Sequence, residues 1–149
     1  MNLIRTTSEN IDFTNLVKSL DQDLAIKNGD KNDFFVQFNK IDLIQHVVVA
    51  YDSEQAIACG AIKEYDKETM EVKRMFVLPH MRSKGIAALV LNNLEKWAKE
   101  LGYKRCILET GEKMKEAIAL YKKCNYIRIE NYEPYKDVIE SRCFEKKLK

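Results

Sequence analysis

At 149 residues the chain has the length of one ordinary domain, with no room for a second of full size. Hydrophobic residues make up 46% and charged residues 32%, which excludes a disordered chain and a fibrous one. Twenty-five Lys and Arg against 23 Asp and Glu leave a formal charge of +2, both signs alternate along the chain, and no nucleic-acid footprint results. The longest unbroken apolar run, 86–91, has six residues, far short of the ~20 that span a bilayer. The amino terminus lacks the apolar stretch of a secretory signal. A soluble, cytoplasmic protein without a membrane partner is expected.

Residues 3–6 could form a short first strand. Over 8–24, Ile11, Phe13, Leu16, Val17, Leu20 and Leu24 mark one face of a helix. Asn28-Gly29-Asp30 reads as a turn, and Phe34, Phe35, Phe38 and Ile41 give 32–44 helical spacing. The texture then changes to three extended runs, 46–51, 56–65 and 69–78, joined by short polar turns: an antiparallel meander. In the third, Met70, Val72, Arg74 and Phe76 alternate with Glu71, Lys73, Met75 and Val77. A helix follows over 84–101, with Ile86, Val90, Leu94, Trp97 and Leu101 at steps of 4, 4, 3 and 4. Then come a strand at 103–110, a helix at 112–124, a strand at 126–130 and a closing strand at 141–148. Strand, 18-residue helix, strand is the length of a crossover, so 69–78 and 103–110 are expected to lie side by side and parallel. The fold class is therefore mixed α/β in a single domain. The closing strand, if exposed, could pair between subunits to give a homodimer.

Cys59, Cys106, Cys124 and Cys143 are 47, 18 and 19 residues apart, with no C-x-x-C pair. His46 and His80 lie at no metal-ligand spacing from a cysteine or from each other, so no metal site is expected. The four thiols read as reduced and mostly buried. Covalent catalysis through Cys106 or Cys124 has no neighbouring histidine to support it.

The most informative segment joins the third meander strand to the long helix: Val77-Leu78-Pro79-His80-Met81-Arg82-Ser83-Lys84-Gly85-Ile86-Ala87. A helix amino terminus presents unpaired N–H groups and about half a positive charge, and so attracts anions. Arg82 and Lys84 oppose the macrodipole there, a misplacement that a bound anion would compensate. Gly85 and Ala87 leave space for a phosphate to approach. The alternative from the same residues is a solvated basic turn. No G-x-x-x-x-G-K-[ST] and no G-x-G-x-x-G occurs, so phosphate loops of those kinds lose support.

Arg82 to Ala87 also fit [R/Q]-x-x-G-x-[G/A], and the segment resembles the signature of the GCN5-related N-acetyltransferase (GNAT) superfamily. Ala117-Ile118-Ala119-Leu120-Tyr121-Lys122-Lys123-Cys124-Asn125-Tyr126 is similar to that superfamily's A-x-x-L-Y-x-x-x-G-[F/Y] segment. Asn125 stands in place of the usual glycine, and asparagine also accepts left-handed backbone. Met114 falls where many relatives carry an amide near the pantetheine arm, so that contact is not implied here.

The resemblance implies a mostly antiparallel central sheet of six or seven strands, with a splayed parallel pair and flanking helices. It also implies acetyl transfer from acetyl-CoA, as co-substrate, to a primary amine of a small molecule or a protein. The pyrophosphate would rest on the N–H groups of Arg82, Ser83, Lys84, Gly85, Ile86 and Ala87. Backbone at Met75, Phe76 and Val77 would hold the pantetheine arm and offer an oxyanion donor. An amine of pKa near 10.4 costs roughly 4 kcal/mol to deprotonate at about pH 7.4, which calls for a base. Glu71 and Glu109 are the candidates, although Glu71 could equally be a partner of Lys73. Tyr121 matches the tyrosine near the departing sulfur. A phenol near 10 is a weaker acid than a thiol near 8.5, by ~2 kcal/mol, so hydrogen bonding to the thiolate is expected rather than full proton donation. The tyrosine-rich segment Asn131-Tyr132-Glu133-Pro134-Tyr135 could line the acceptor pocket. A non-catalytic acyl-CoA sensor and a basic-turn module for an acidic protein remain as alternatives.

Overall fold

Apolar residues two apart on strands and three or four apart on helices sort this chain into three layers in the computed structural model, which describes residues 1–29 and 43–149. In chain order these are β1 (Asn2–Thr6), α1 (Ile11–Asn28), β2 (His46–Asp52), β3 (Gln55–Asp66), β4 (Thr69–Val77), α2 (Ile86–Glu100), β5 (Arg105–Gly111), α3 (Lys115–Lys123), β6 (Ile127–Ile129) and β7 (Ser141–Lys147). The helix expected over 32–44 falls almost wholly outside the described residues. Among the described residues, seven strands make one sheet in the order β1-β2-β3-β4-β5-β7-β6. The β4–β5 pair is parallel and the others are antiparallel, as the resemblance implied.

Local chemistry sets the helix ends. The α1 helix begins at Ile11 rather than at residue 8, because the Asn10 side chain caps it by accepting from the Phe13 N–H at 3.0 Å. Ser8 is used elsewhere: its N–H donates to the Ile44 carbonyl at 2.8 Å, and its Oγ accepts from the Ile44 N–H at 2.9 Å. Likewise α3 starts three residues late. Glu112 still extends the sheet edge, donating its N–H to the Glu140 carbonyl at 2.8 Å. Helix α1 packs Phe13, Leu16, Val17 and Leu20 against one face of the sheet. Helices α2 and α3 cover the other face, with Ile86, Val90, Leu91, Leu94 and Tyr121 in one core. The expected inward face of α2 shifts at its end, where Leu101 is exposed.

Two departures from the sequence reading shape the interior. Strand β4 does not alternate through its length. Cys59 pairs with Phe76 and Ala61 with Lys73, so Gly60 alone opposes both Arg74 and Met75. This is a β-bulge, with Arg74 in the left-handed region at φ 59°. The extra residue flips the phase: Val72 belongs to the α2-side core, whereas Phe76 joins the α1-side core. Arg74, expected on the face of Met70 and Val72, instead reaches Asp21 of α1 at 3.0 Å. The second departure concerns the closing strand, which is no free edge. Strand β7 lies between β5 and β6 and pairs with both, so it cannot serve as a strand-to-strand dimer contact.

The bulge depends on the missing side chain at Gly60. A Cβ there would meet Met75 Sδ at 2.5 Å and Leu94 Cδ1 at 2.9 Å. Gly60→Ala should therefore cost about 1–3 kcal/mol through overpacking, read as a lower urea midpoint with an unchanged slope. An unaltered midpoint would mean that β3 and β4 do not meet this way.

Candidate active site

The turn leaving β4 presents free main-chain amides at the start of the long helix. After a 3-10 turn at Pro79–Met81, Arg82 is extended, Ser83 takes φ 66° and Gly85 φ 79°, and α2 begins. Gly85 sits at the N-cap and offers no side-chain cap, so the first amides of the helix point outward unsatisfied. Among the described residues, no protein acceptor takes the N–H of Ser83, Lys84, Gly85, Ile86 or Ala87. The Arg82 N–H bonds to the Pro79 carbonyl at 3.3 Å, so the open run starts at Ser83, one residue later than expected. A Cβ built on Gly85 meets no atom within 4 Å, which leaves the approach to these amides clear. The Arg82 side chain turns back: Nε donates to the Val77 carbonyl at 2.9 Å, Nη2 lies 3.6 Å from Asp23, and the guanidinium covers the Phe76 ring. Arg82 thus braces the turn from behind, while its positive charge still favours an anion in front.

That turn opens onto a cleft of about 1130 Å³ lined by β4, β5, α3 and the last part of α1. Its origin is topological. The parallel strands pair only at Thr69–Arg105, Met70–Cys106 and Glu71–Ile107, after which β4 follows β3 and β5 follows β7. Met75, Phe76 and Val77 lie beyond the fork and line the cleft.

The two carboxylates singled out in the sequence stand at this fork in different states. Glu71, at the last paired position, is held on both oxygens: Tyr132 Oη donates to Oε2 at 2.7 Å, and Lys73 Nζ lies 3.7 Å from Oε1. The Lys73 partnership considered from sequence is therefore present. Glu109 is half-buried, and its Oε2 accepts one bond, from Ser141 Oγ at 2.6 Å. Burial pushes its carboxyl up to about 7; Glu71 adds repulsion, and the Ser141 hydroxyl and Lys73 only partly offset these. A carboxyl poised there can accept a proton near neutrality and release it again.

Tyr121 is buried against Tyr126 and Phe144 on the α2 side, yet it lines the cleft. Among the described residues its hydroxyl bonds to no protein group. Burial raises its pKa, and Cys124 and Glu109 act in the same direction, so it is poised as a hydrogen-bond donor and not as an acid. Asn125 adopts φ 73°, the left-handed geometry anticipated for it. Met114 lines the cleft. Of the segment 131–135, Tyr135 lines the cleft and Tyr132 holds Glu71, while Asn131 Nδ2 ties the loop by donating to the carbonyls of Tyr135 and Val138 at 3.2 and 3.0 Å. Cys59, Cys106 and Cys143 are buried, and burial pushes the Cys106 thiol up to about 12, which makes it a poor nucleophile. Sequence reasoning missed Arg74, whose only signal was a cation on an apolar phase. It also missed Ser141, which meets Glu109 only through a long-range strand pairing.

Comparison with known proteins identifies the family and the fold. A family model described as the acetyltransferase (GNAT) family matches residues 14–126. The chain is 36% identical over 86 residues to the uncharacterized N-acetyltransferase YjgM of Escherichia coli, covering 56% of this chain and 51% of that one. It thus spans about half the length of that curated relative. Over 99% of its length it superposes on a proposed acyl-CoA N-acyltransferase from Klebsiella pneumoniae, covering 97% of that chain, with TM-score 0.82 and 24% identity. A GNAT family acetyltransferase from Elizabethkingia anophelis with acetyl-CoA bound matches 99% of this chain and 97% of its own, with TM-score 0.70 and 18% identity. Among the described residues, no helix is long and apolar enough to cross a membrane.

The Glu109 carboxyl can be probed without any ligand. Its folded-state pKa of about 7 lies above the ordinary value of 4.5, so the unfolded chain loses this proton first as pH rises. The native state should therefore lose stability between about pH 4.5 and 7 through this group, and no further above that. Glu109→Gln removes the effect. Its urea midpoint should gain on wild type across that window and then hold a constant lead; a gap independent of pH would place Glu109 in solvent.

Proposed function

The chain belongs to the acetyltransferase (GNAT) family, and on that premise we propose that it transfers the acetyl group of acetyl-CoA to a primary amine of a small molecule within a ternary complex. The observation that carries this reading is one continuous cleft with unpaired amides at one end and a carboxyl titrating near neutrality at the other. The acetyl-CoA bound to the Elizabethkingia neighbour supports the same co-substrate here. The residues present suit such a ligand: the amides of Ser83 to Ala87 and the α2 dipole hold a diphosphate, and Gly85 leaves its approach open. Backbone at Met75 to Val77 then flanks the pantetheine arm, and the Val77 N–H, which alternates with Leu78 and Phe76 donors turned toward β3, stabilises charge developing on the thioester oxygen.

The co-substrate supplies an activated acetyl group and a thiolate leaving group. The rest falls to the chain. Of the two carboxylates, Glu109 is the better base, because Glu71 is engaged on both oxygens and Glu109 on one. Glu109 takes one proton from the acceptor ammonium, which frees the nitrogen lone pair to form its bond to the acetyl carbon; as the carbon–sulfur bond breaks, the nitrogen loses its second proton to solvent. Tyr121 donates a hydrogen bond to the sulfur as charge collects there. Its raised pKa makes full proton transfer still more uphill than for an exposed phenol, so the thiolate leaves hydrogen-bonded and gains its proton on release.

Calorimetry with acetyl-CoA should show binding, with ATP and NAD much weaker. Gly85→Val places a branched side chain before the free amides and at a left-handed backbone position. It should weaken acetyl-CoA binding at least about tenfold with the circular dichroism spectrum retained. Free-thiol release across a panel of amines should reveal turnover, and Glu109→Gln should lower kcat about 10²- to 10³-fold at pH 7.5. Normal acetyl-CoA binding by Gly85→Val would overturn the phosphate assignment. Tight binding with no turnover on any amine would instead favour the sensor reading.

A further inference from the structure

Residues outside both family segments complete the surroundings of Glu109. In the β5–β7 register Cys143 lies opposite Glu109 and Ser141 opposite Gly111, so Ser141 is the diagonal neighbour of Glu109 on the same face. Ser141 is fully buried, and its Oγ donates to Glu109 Oε2 at 2.6 Å, the length of a charge-assisted O–H···O⁻ bond. Its backbone is fixed as well. The Ser141 N–H donates to the Val138 carbonyl at 3.1 Å, and its carbonyl accepts from Arg142 Nη1 at 3.0 Å. Arg142 Nη2 in turn reaches Glu112, just past the end of β5, at 2.9 Å. Among the described residues, Glu109 Oε1 accepts no protein hydrogen bond.

Resting on the reading of Glu109 as the base, we infer that Ser141 is a positioning residue for the transfer: its hydroxyl holds Oε2 of Glu109 and thereby reserves Oε1 as the oxygen that takes the amine proton. The serine stays a donor to Oε2 in both states of the acid, so Glu109 need not rotate when it is protonated. The same bond acts on pH dependence. Glu71 and Lys73 face Glu109 from β4, Ser141 and Cys143 from β7, Tyr121 from α3, and Tyr135 from the loop before β7. Of these, the Ser141 hydroxyl is the neutral group that favours the ionised carboxylate by direct donation. Without it, burial and the charge of Glu71 would hold the carboxyl protonated at neutral pH.

Carbon-13 NMR of the Glu109 side-chain carboxyl in the full chain tests the bond directly. In Ser141→Ala the titration midpoint should rise by about one to two pH units, while Ser141→Thr, which keeps the hydroxyl, should hold it within about half a unit. With acetyl-CoA and the fastest amine of the panel, the acid limb of kcat in Ser141→Ala should move by the same amount. That predicts a loss of about 5- to 50-fold at pH 7 and recovery above about pH 9. A loss independent of pH, or an unmoved midpoint, would overturn the positioning role while leaving Glu109 as base. Full activity of Glu109→Gln, or no turnover with any amine, would remove the underlying reading and this inference with it.

Discussion

The cleft exists because β4 and β5 are stitched together at one end and driven apart at the other. At the closed end Arg105 of β5 reaches three other strands: Nε donates to Thr69 Oγ1 on β4 at 2.8 Å, Nη1 to Glu145 on β7 at 3.0 Å, and Nη2 approaches Asp66 of β3 at 4.0 Å. Three residues beyond Glu71, the last parallel pair, the bulge at Arg74 turns β4 away. Its buried guanidinium is drawn to α1 by Asp21, and the Cys59 Sγ–H donates to the Arg74 carbonyl at 3.4 Å. A parallel ladder would otherwise continue, since each added pair satisfies backbone groups that are costly to leave unpaired when buried. The bulge exchanges that ladder for packing of Phe76 on the α1 side and an open backbone edge along the cleft.

Charge is divided along the opening, positive at one end and negative at the other. Unpaired amides, the α2 dipole, Arg82 and Lys84 make one end attractive to anions, while Glu71 and Glu109 occupy the fork. Acidic residues of α1 temper the positive end: Asp23 pairs with Arg82 and Asp21 with Arg74. Both arginines are thereby kept against the β4–α1 seam, which leaves main-chain donors to meet an anion. Main-chain donors suit such a site because they carry no rotamer entropy to lose on binding.

How much of this was legible in the sequence follows the range of the interactions involved. The turn with its free amides could be read because all its parts lie within 82–87: misplaced cations, a glycine and a helix start. Asn125 was legible through the family resemblance, and the parallel neighbour strands through the crossover length of the strand–helix–strand run. The phase flip in β4 was not, because a bulge is set by what lies across the sheet. Arg74 on an apolar phase and Gly60 in a buried strand were the only traces, and they sit 14 residues apart. The place of β7 was equally hidden, since period and composition identify a strand without saying which neighbours it joins. Glu109 could be named as a carboxylate at a strand end, but its elevated pKa and its serine partner came only with that neighbour.

The insertion of β7 between β5 and β6 also explains how one hydroxyl can be held accurately enough to matter. A donor that drifts by an ångström loses most of its influence on a carboxylate. Strand β7 is pinned at both ends by ion pairs, half-buried at one end and exposed at the other. Lys146 reaches Glu95 of α2 at 2.9 Å, and Tyr126 donates to the other oxygen of the same carboxylate at 2.9 Å. Arg105 holds Glu145, and at the far end Arg142 holds Glu112. Pairs of this kind contribute little net stability after desolvation, but they discriminate sharply between registers. A slip of one residue would turn Ser141 to the opposite face and, in one direction, bring Glu145 instead of Lys146 to Glu95. The charges around β7 therefore act through register. They fix which residue faces Glu109, and with it the pH range over which that carboxylate can accept a proton.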